Sequence, residues 1–234
     1  MAAIYFYLKF CEREQYARDF VQGRLWMNPL EYFKKLENGD ASDGRRDPYE
    51  APDAWYQPSQ LGSVTYGDIE IRPTDLAGPV VVQPAHLNTI NLLSLYAGTS
   101  GKFEIITVDT FQAFKAHMQV PERCLTMGSF AVFVHHVRDF TSRIIKTVRR
   151  ENFALEAGPV TYFDPTRFSG TMEKPAFSKR DDFAWQREHR FALNRNVSSP
   201  EPYVLDVGSL ADICTIVDPV EFNKTIRFGL PGFH

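Results

Sequence analysis

The stretch FAWQREHRFAL, residues 183–193, places charged and amide side chains directly before an apolar run. Aromatic and aliphatic residues of this kind are typical of a β-strand. Side chains of an extended strand alternate between its two faces, so Gln186, Glu188 and Arg190 share one face. His189 then lies on the opposite face. The stretch predicts a strand whose first residues point an amide and a carboxylate the same way, roughly 7 Å apart.

This pair of side chains has two interpretations. In the first, the Gln186 amide holds a substrate group, while the Glu188 carboxylate stabilises positive charge or orients a sugar hydroxyl. In the second, Glu188 forms an ion pair with an arginine of a neighbouring strand, which contributes about 0.2–1 kcal/mol when exposed. Many solvated strands carry glutamine and glutamate two residues apart, so the spacing alone leaves both interpretations open.

The composition predicts a single globular domain over residues 1–234. The chain has 234 residues, of which 44% are hydrophobic, and this is enough for one substantial core. Nineteen phenylalanines, ten tyrosines and three tryptophans favour a sheet-containing fold over a helical bundle. A net charge of −3 predicts no global attraction to nucleic acid or to an anionic membrane.

The cysteines and the N-terminus predict the compartment. Cys11, Cys124 and Cys214 are far apart and odd in number, which favours a reducing environment over a disulfide framework. The N-terminal apolar run at residues 4–10 is interrupted by Lys9 and is too short for a signal peptide or a membrane span. We therefore expect a cytoplasmic protein without a membrane partner.

Hydrophobic periodicity and turn residues divide the chain into short elements. Helices are predicted at residues 12–22, with Gly23 as the C-cap, and at 110–118 and 139–150. Strands are predicted at residues 4–10, 24–28, 64–71, 80–83, 91–96, 129–135, 160–163, 186–193 and 203–207. Long loops are predicted at 37–60 and 166–182, followed by an irregular C-terminal tail. The pattern predicts an α+β fold with a central, mainly antiparallel sheet flanked by a few helices.

The sequence lacks the short motifs of common metalloenzymes and hydrolases. His135 and His136 are adjacent, and no His-x-His, Cys-x-x-Cys or His-Glu-x-x-His spacing occurs. Ser94 and Ser100 lack the Gly-x-Ser-x-Gly elbow of α/β-hydrolases. No Gly-x-Gly-x-x-Gly motif or P-loop follows a predicted strand. We therefore expect no bound metal.

The helix predicted at residues 139–150 has an apolar face and a basic face. Phe140, Ile144 and Val148 recur every four residues and predict the buried face. The opposite face carries Arg138, Arg143, Lys146, Arg149 and Arg150. This face is interpreted either as an ordinary solvated surface or as a surface that contacts phosphates through arginine forks. The acidic, aromatic and basic residues at 45–50 are likewise interpreted as a turn or as part of a binding loop.

The order of these elements resembles that of ADP-ribosyltransferases. The shared features are the first strand, the helix that ends at Gly23, the short second strand, the Thr99-Ser100 pair after a central strand, and the late Gln186-x-Glu188. In the Arg–Ser–Glu subgroup of that family, the first strand supplies a basic residue toward NAD, and a Ser-Thr-Ser-like segment supports the nicotinamide pocket. The Gln/Glu-x-Glu motif carries catalysis. Segments 25–29, 46–50 and 185–190 also resemble uncharacterised short bacterial and phage-borne proteins, a likeness that implies no activity.

The first resemblance implies roles for particular residues. Glu188 would contact the nicotinamide ribose and stabilise the oxocarbenium-like transition state, and Gln186 would position the acceptor. The residues expected to bind NAD are Lys9, Arg24, Tyr96, Thr99 and Ser100. The residues expected to bind the acceptor are Trp185, Arg143, Lys146 and Arg150. NAD would be a substrate, and the acceptor would be a nucleic acid or a host protein. Such enzymes resemble toxins and phage-conflict proteins, for which an antitoxin or inhibitor is a further partner.

Two other functions stay open on the sequence alone. The first is a non-catalytic binding module, such as a phage or defence accessory protein, that holds its partner through the long loop and the basic helix. It predicts NAD-independent binding that is lost when the basic helix is neutralised. The second is a nuclease based on Glu188, His189 and Arg190, although strand alternation places His189 opposite Glu188.

Overall fold

A computed structural model describes residues 2–35, 47–83 and 89–229 of the chain. Its strands are β1 (Ile4–Cys11), β2 (Arg24–Pro29), β3 (Ala54–Tyr56), β4 (Val64–Tyr66), β5 (Ile69–Ile71), β6 (Val80–Val82), β7 (Ile90–Thr99), β8 (Phe130–Val134), β9 (Ala154–Pro159), β10 (Thr161–Phe163), β11 (Gly170–Thr171), β12 (Ser178–Arg180), β13 (Glu188–Asn194), β14 (Tyr203–Asp206) and β15 (Cys214–Val217). Its helices are α1 (Glu14–Val21), α2 (Leu30–Lys35), α3 (Val108–Met118), α4 (Glu122–Leu125), α5 (Val137–Arg150) and α6 (Pro219–Thr225).

Eight of these strands form one sheet in which all paired strands are antiparallel. The strand order is β14-β2-β7-β1-β8-β15, and β13 pairs with both β7 and β9. The predicted α+β class with a central, mainly antiparallel sheet is therefore confirmed. In the described part of the chain, no helix is long and apolar enough to cross a membrane.

The sheet has a gap along one edge of β7. On this edge, β1 pairs with β7 as far as Tyr96, and β2 pairs with β7 only at Leu92 and Asn91. The intervening residues 93–95 have no strand partner on this edge among the described residues. The opposite edge of β7 pairs with β13 without interruption from Glu188 to Asn194. A cleft can therefore open between β1 and β2 while β13 holds the rest of the sheet together.

Apolar layers cover both faces of the sheet because side chains alternate along each strand. On one face, α1 and α5 pack against the sheet through Tyr7, Phe20, Leu93, Phe140, Ile144 and Phe191. On the other face, α3, α4 and α6 pack through Phe6, Leu8, Tyr96, Phe114, Cys124 and Phe222. Glu188 and Arg190 alternate with Phe191, so they lie on the face opposite α5.

Several helix boundaries follow from local chemistry. Gly23 follows α1 with φ of +88°, and a Cβ there would lie 1.9 Å from the carbonyl oxygen of Gly208. This position therefore requires glycine, in agreement with the predicted helix end. The hydroxyl of Thr107 accepts a hydrogen bond from the Thr110 backbone N–H and caps α3, and the Asp218 carboxylate caps α6 in the same way.

The structure corrects the predicted strand at residues 64–71. These residues form the hairpin of β4 and β5, with a turn at Gly67, whose φ is +59°. The apolar run concealed this turn, because Gly-Asp separates two segments of strand-forming residues. Strand β6 pairs with β3 and not with this hairpin.

Three segments predicted to be irregular contain regular structure. Residues 47–60 contain β3, and the segment predicted as loop at 166–182 contains β11 and β12. The C-terminal tail contains β15 and α6, and β15 extends the main sheet by pairing with β8. These strands have two to four residues, and tertiary pairing determines them more than local propensity does. Residues 37–46 of the first predicted loop and residues 230–234 of the tail lie outside the described residues.

Candidate functional site in the sheet gap

A cleft opens where β1 and β2 separate beside β7. It encloses about 860 Å³ of empty space, including its open mouth. Its apolar wall includes Leu8, Phe10, Trp26, Tyr32, Phe33, Leu92 and Tyr96. Its polar groups come from Lys9, Asn28, Glu50, Ser94, Lys179, Gln186, Glu188 and Arg190.

The predicted Gln-x-Glu pair reaches this cleft from two different elements. Gln186 ends a 3₁₀ helix (Asp181–Gln186), and Glu188 is the first residue of β13. Arg187 between them has φ of +41°, so the chain is not extended at this point and the strand begins two residues later than predicted. Both side chains nevertheless line the cleft and are buried. Arg190 shares this face, whereas His189 packs on the opposite face against Tyr7.

Four charged side chains, Glu50, Lys179, Glu188 and Arg190, form a buried quartet at the base of the cleft. Arg190 binds Glu188 in bidentate fashion, with Nε donating to Oε1 at 2.8 Å and Nη2 donating to Oε2 at 3.1 Å. The Nη1 atom of Arg190 lies 2.7 Å from Oε1 of Glu50. Lys179 Nζ lies 3.4 Å from Oε2 of Glu188 and 3.7 Å from Oε2 of Glu50. Two carboxylates thus balance two cations.

The quartet keeps Glu188 ionised even though only 8% of its surface is exposed. Burial alone would raise the pKa of Glu188, but the charges of Arg190 and Lys179 and the hydrogen bond from Arg190 hold the pKa below its ordinary value. A carboxylate has about four acceptor positions. Besides the two bonds from Arg190, Glu188 accepts hydrogen bonds from Lys179 Nζ at 3.4 Å and from the Ser94 side chain. Glu188 is therefore a negative charge held in place at the wall of the cleft.

Neighbouring contacts fix the position of Gln186 and Glu188. Lys179 Nζ donates a hydrogen bond to the Gln186 side-chain carbonyl at 2.8 Å. The backbone N–H of Glu188 donates to the Tyr162 hydroxyl at 2.9 Å, and burial raises the pKa of that phenol. Arg190 Nη1 also donates to the carbonyl of Ala176 at 2.6 Å. The site is thus held in position by contacts within the protein.

Of the residues expected to bind NAD, Lys9 and Tyr96 line the cleft. Lys9 Nζ donates to the backbone carbonyl of Ser94 at 3.2 Å, within the stretch of β7 that faces the sheet gap. The Tyr96 hydroxyl accepts a hydrogen bond from Arg187 at 3.2 Å, and burial raises the pKa of Tyr96 to about 12. Arg24 lies in an adjoining cleft and forms an ion pair with Asp19.

Thr99 and Ser100 stand apart from this group. The Ser100 hydroxyl accepts the Ala3 backbone N–H at 3.0 Å, and the Thr99 hydroxyl accepts the Gly101 backbone N–H at 3.3 Å. Neither residue is among those that line the cleft. In the structure, this pair holds the turn after β7.

The residues expected to bind the acceptor are also distributed over other surfaces. Trp185 packs in the apolar layer of α4 and α6, with the Arg123 guanidinium 4.4 Å from its ring centroid. Lys146 and Arg150 are exposed on α5, whereas Arg143 is neutralised by Asp212 at 2.8 Å. Because α5 packs on the opposite face of the sheet, its basic surface and the cleft are separate features.

Two members of the quartet, Glu50 and Lys179, are not among the site residues predicted from the sequence. Glu50 lies in the segment at 45–50 whose mixture of acidic, aromatic and basic residues is typical of a binding loop, so a signal for this residue was present. Lys179 stood alone in a predicted loop and gave no signal. Its position depends on β12, which pairs with β10 in parallel.

Within residues 2–35, 47–83 and 89–229, no three His, Cys, Asp or Glu side chains are grouped so as to hold a metal ion. Comparisons with models of protein families, with curated proteins and with solved structures gave no match. The function is therefore inferred from the residues that line the cleft.

Proposed function

We propose that this protein is an ADP-ribosyltransferase-like enzyme that uses NAD as a substrate. The acceptor would be a nucleic acid or a protein, in a toxin or phage-conflict setting. The observation that carries the proposal is the ionised Glu188, which lies beside Gln186 in an aromatic-walled cleft at the sheet gap. The resemblance in the order of elements supports the same reaction.

The reaction breaks the glycosidic bond between the nicotinamide nitrogen and C1 of the ribose. The bonding electrons leave with nicotinamide, which departs as a neutral molecule, while positive charge develops on the ribose. A fixed carboxylate stabilises this charge more in the transition state than in the ground state, and this difference accelerates the reaction. Glu188 would supply that carboxylate. An acceptor oxygen or nitrogen then bonds to C1 and releases its proton to water.

The surrounding residues would orient the reactants. The ring of nicotinamide is flat and apolar on both faces, and the aromatic side chains Phe10, Tyr32 and Tyr96 offer surfaces against which it can pack. Lys179 orients the Gln186 amide beside Glu188, where that amide would position the acceptor. Lys9 adds a positive charge at the sheet gap for the phosphates of NAD.

Nicotinamide release from NAD tests the proposal. Purified protein is assayed alone and with total RNA, DNA or cell lysate, beside Glu188→Gln and Glu188→Asp. We expect Glu188→Gln to lower release by roughly 10²–10³-fold, the loss typical of removing one electrostatic group that stabilises a transition state. Undiminished release by a folded Glu188→Gln variant would refute the proposal.

Two controls separate chemistry from folding. Glu188→Asp keeps the charge next to Arg190 but shortens its reach, so activity should fall while the ion pair is partly kept. Glu156→Gln makes the same chemical change on β9, where Glu156 pairs with Lys174 and is half exposed. Its release rate should equal that of the wild-type protein. Unfolding curves of all variants, taken at the assay pH, identify any loss caused by instability.

The alternative proposal is a non-catalytic binding module that uses α5. It is favoured by the exposure of Lys146 and Arg150 on a surface away from the cleft. Reversal of these two charges should then abolish binding of an anionic partner without any dependence on NAD. Reversal of Arg143 should have less effect, because Asp212 already neutralises it. Unchanged partner binding by the Lys146→Glu, Arg150→Glu double variant would refute this alternative.

A further inference from the structure

A second cleft adjoins the first and is not used by the proposed bond cleavage. It encloses about 930 Å³ of empty space, including its open mouth. The two clefts share a wall formed by Lys9, Phe10, Trp26, Asn28 and Tyr32. A ligand in one cleft therefore lies next to a ligand in the other.

One face of β2 lines the second cleft with three different functional groups. Burial alternates along this strand, with Leu25 and Met27 in the core and Arg24, Trp26 and Asn28 on the other face. Alternate residues on one face of a strand are roughly 7 Å apart. The cleft is thus lined, in this order, by a guanidinium, an indole and a carboxamide.

The indole is exposed but fixed. Trp26 is 40% exposed, and its Nε1 donates a hydrogen bond to Oδ2 of Asp19 at 3.0 Å. The ring of Tyr16 packs edge-on against it, with centroids 5.8 Å apart. Because Trp26 is already ordered, a ligand that stacks on it incurs little additional loss of side-chain entropy.

The buried carboxylate of Asp19 holds both Trp26 and Arg24 in place. Asp19 accepts hydrogen bonds from Arg24 and Trp26, and from Gln15 at 2.7 Å. The hydrogen bond from Arg24 is the main reason why the pKa of Asp19 lies below its ordinary value. Arg24 remains 45% exposed, and a guanidinium has five N–H donors, so it can bind an anion while it is paired with Asp19.

We propose that the second cleft is a nucleotide-binding site, with the base stacked on Trp26 and a phosphate bound by Arg24. An aromatic side chain accepts the face of any base, and an arginine fork matches phosphate oxygens. Asn28, in the shared wall, offers a donor and an acceptor toward the first cleft. The nucleotide is either the adenylate half of NAD or a nucleotide of a nucleic-acid acceptor, and this choice rests on the proposed function.

Equilibrium titrations with AMP, ADP-ribose and a short single-stranded RNA test the site. We expect saturable binding of at least one of these, weakened roughly tenfold or more by Trp26→Ala, which corresponds to about 1.4 kcal/mol. Arg24→Gln should weaken binding of AMP but not of adenosine. Tyr66→Ala is the control, because Tyr66 is an exposed aromatic residue that does not line this cleft, and it should bind as the wild-type protein does.

Comparison of these ligands distinguishes the two sources of the nucleotide, which are NAD and a nucleic-acid acceptor. Binding of AMP and ADP-ribose without RNA assigns the site to NAD, whereas binding of RNA without ADP-ribose assigns it to the acceptor. If nicotinamide release is absent but nucleotide binding depends on Trp26, the proposed reaction is refuted and the proposed nucleotide site is supported. No binding of any of these ligands, or binding unaffected by both Trp26→Ala and Arg24→Gln, would overturn the site.

Discussion

Replacement of Arg190 by methionine tests the buried quartet directly. Methionine has a similar length and no charge, so it fills much of the same volume without any hydrogen bond. Arg190 is 1% exposed, and its guanidinium lies 2.8 Å from Glu188 and 2.7 Å from Glu50. Its loss leaves two buried carboxylates with Lys179 as the remaining cation of the quartet.

The expected cost follows from this burial. Removal of one partner from a buried ion pair typically destabilises a protein by about 3–5 kcal/mol, because the other charge stays buried without compensation. For a chain of this size each kcal/mol lowers the melting temperature by roughly 2–4 °C, so we expect a decrease of roughly 6–20 °C. Chemical denaturation and thermal melting at neutral pH measure both quantities.

A double-mutant cycle then tests whether the quartet acts as a unit. The double variant Arg190→Met, Glu188→Gln removes one charge of each sign and leaves Lys179 paired with Glu50. Its loss of unfolding free energy should be smaller than the sum of the losses of the two single variants, by roughly 0.5–3 kcal/mol. A single-variant loss below about 1 kcal/mol, as for an exposed pair, or strict additivity would refute the reasoning.

Three further predictions concern other parts of the fold. Burial lowers the pKa of His189 from 6.5 to about 4. The contribution of the neutral imidazole to the free energy of unfolding is therefore complete above pH 6.5, and about 3 kcal/mol is lost as the pH falls toward 4. His189→Phe should therefore flatten the pH dependence of the free energy of unfolding in this window, and an unchanged slope would contradict a buried neutral imidazole. Gly23→Ala should destabilise the protein by about 1–3 kcal/mol, because Gly23 has a positive φ and a Cβ there would clash with Gly208. Gly62 has open space around it, so Gly62→Ala should leave the free energy of unfolding nearly unchanged in the same denaturation assay. Reversal of Lys146 and Arg150 should leave NAD hydrolysis in the absence of acceptor unchanged, because α5 lies on the opposite face of the sheet, and a decrease in that rate would contradict this placement.

Strand alternation predicted which side chains at the start of β13 share a face. Glu188 and Arg190 share a face that lines the cleft, and His189 packs on the other face, as the period of two requires. The sequence also predicted β1, α1, β8 and α5 to within a few residues, because these elements have strong apolar periodicity. The left-handed residue Arg187 was not predictable, since non-glycine residues rarely adopt that conformation.

The rest of the site depends on contacts between distant segments. Glu50, Lys179 and Arg190 of the quartet come from three parts of the chain, and no local sequence pattern indicates that they are in contact. The alternative interpretation of Glu188, an exposed ion pair with an arginine of a neighbouring strand, is replaced by a buried pair with Arg190 on the same strand. The sheet gap likewise arises from where β1 and β2 stop pairing with β7, which only the three-dimensional register reveals.

The rate of nicotinamide release from NAD, compared between the wild-type protein and Glu188→Gln below the melting temperatures of both, tests the central claim most directly. We expect measurable release by the wild-type protein, in at least one acceptor mixture, and a decrease of roughly 10²–10³-fold in the variant. Equal rates for the two proteins, or no release by a well-folded wild-type protein in any mixture, would contradict it.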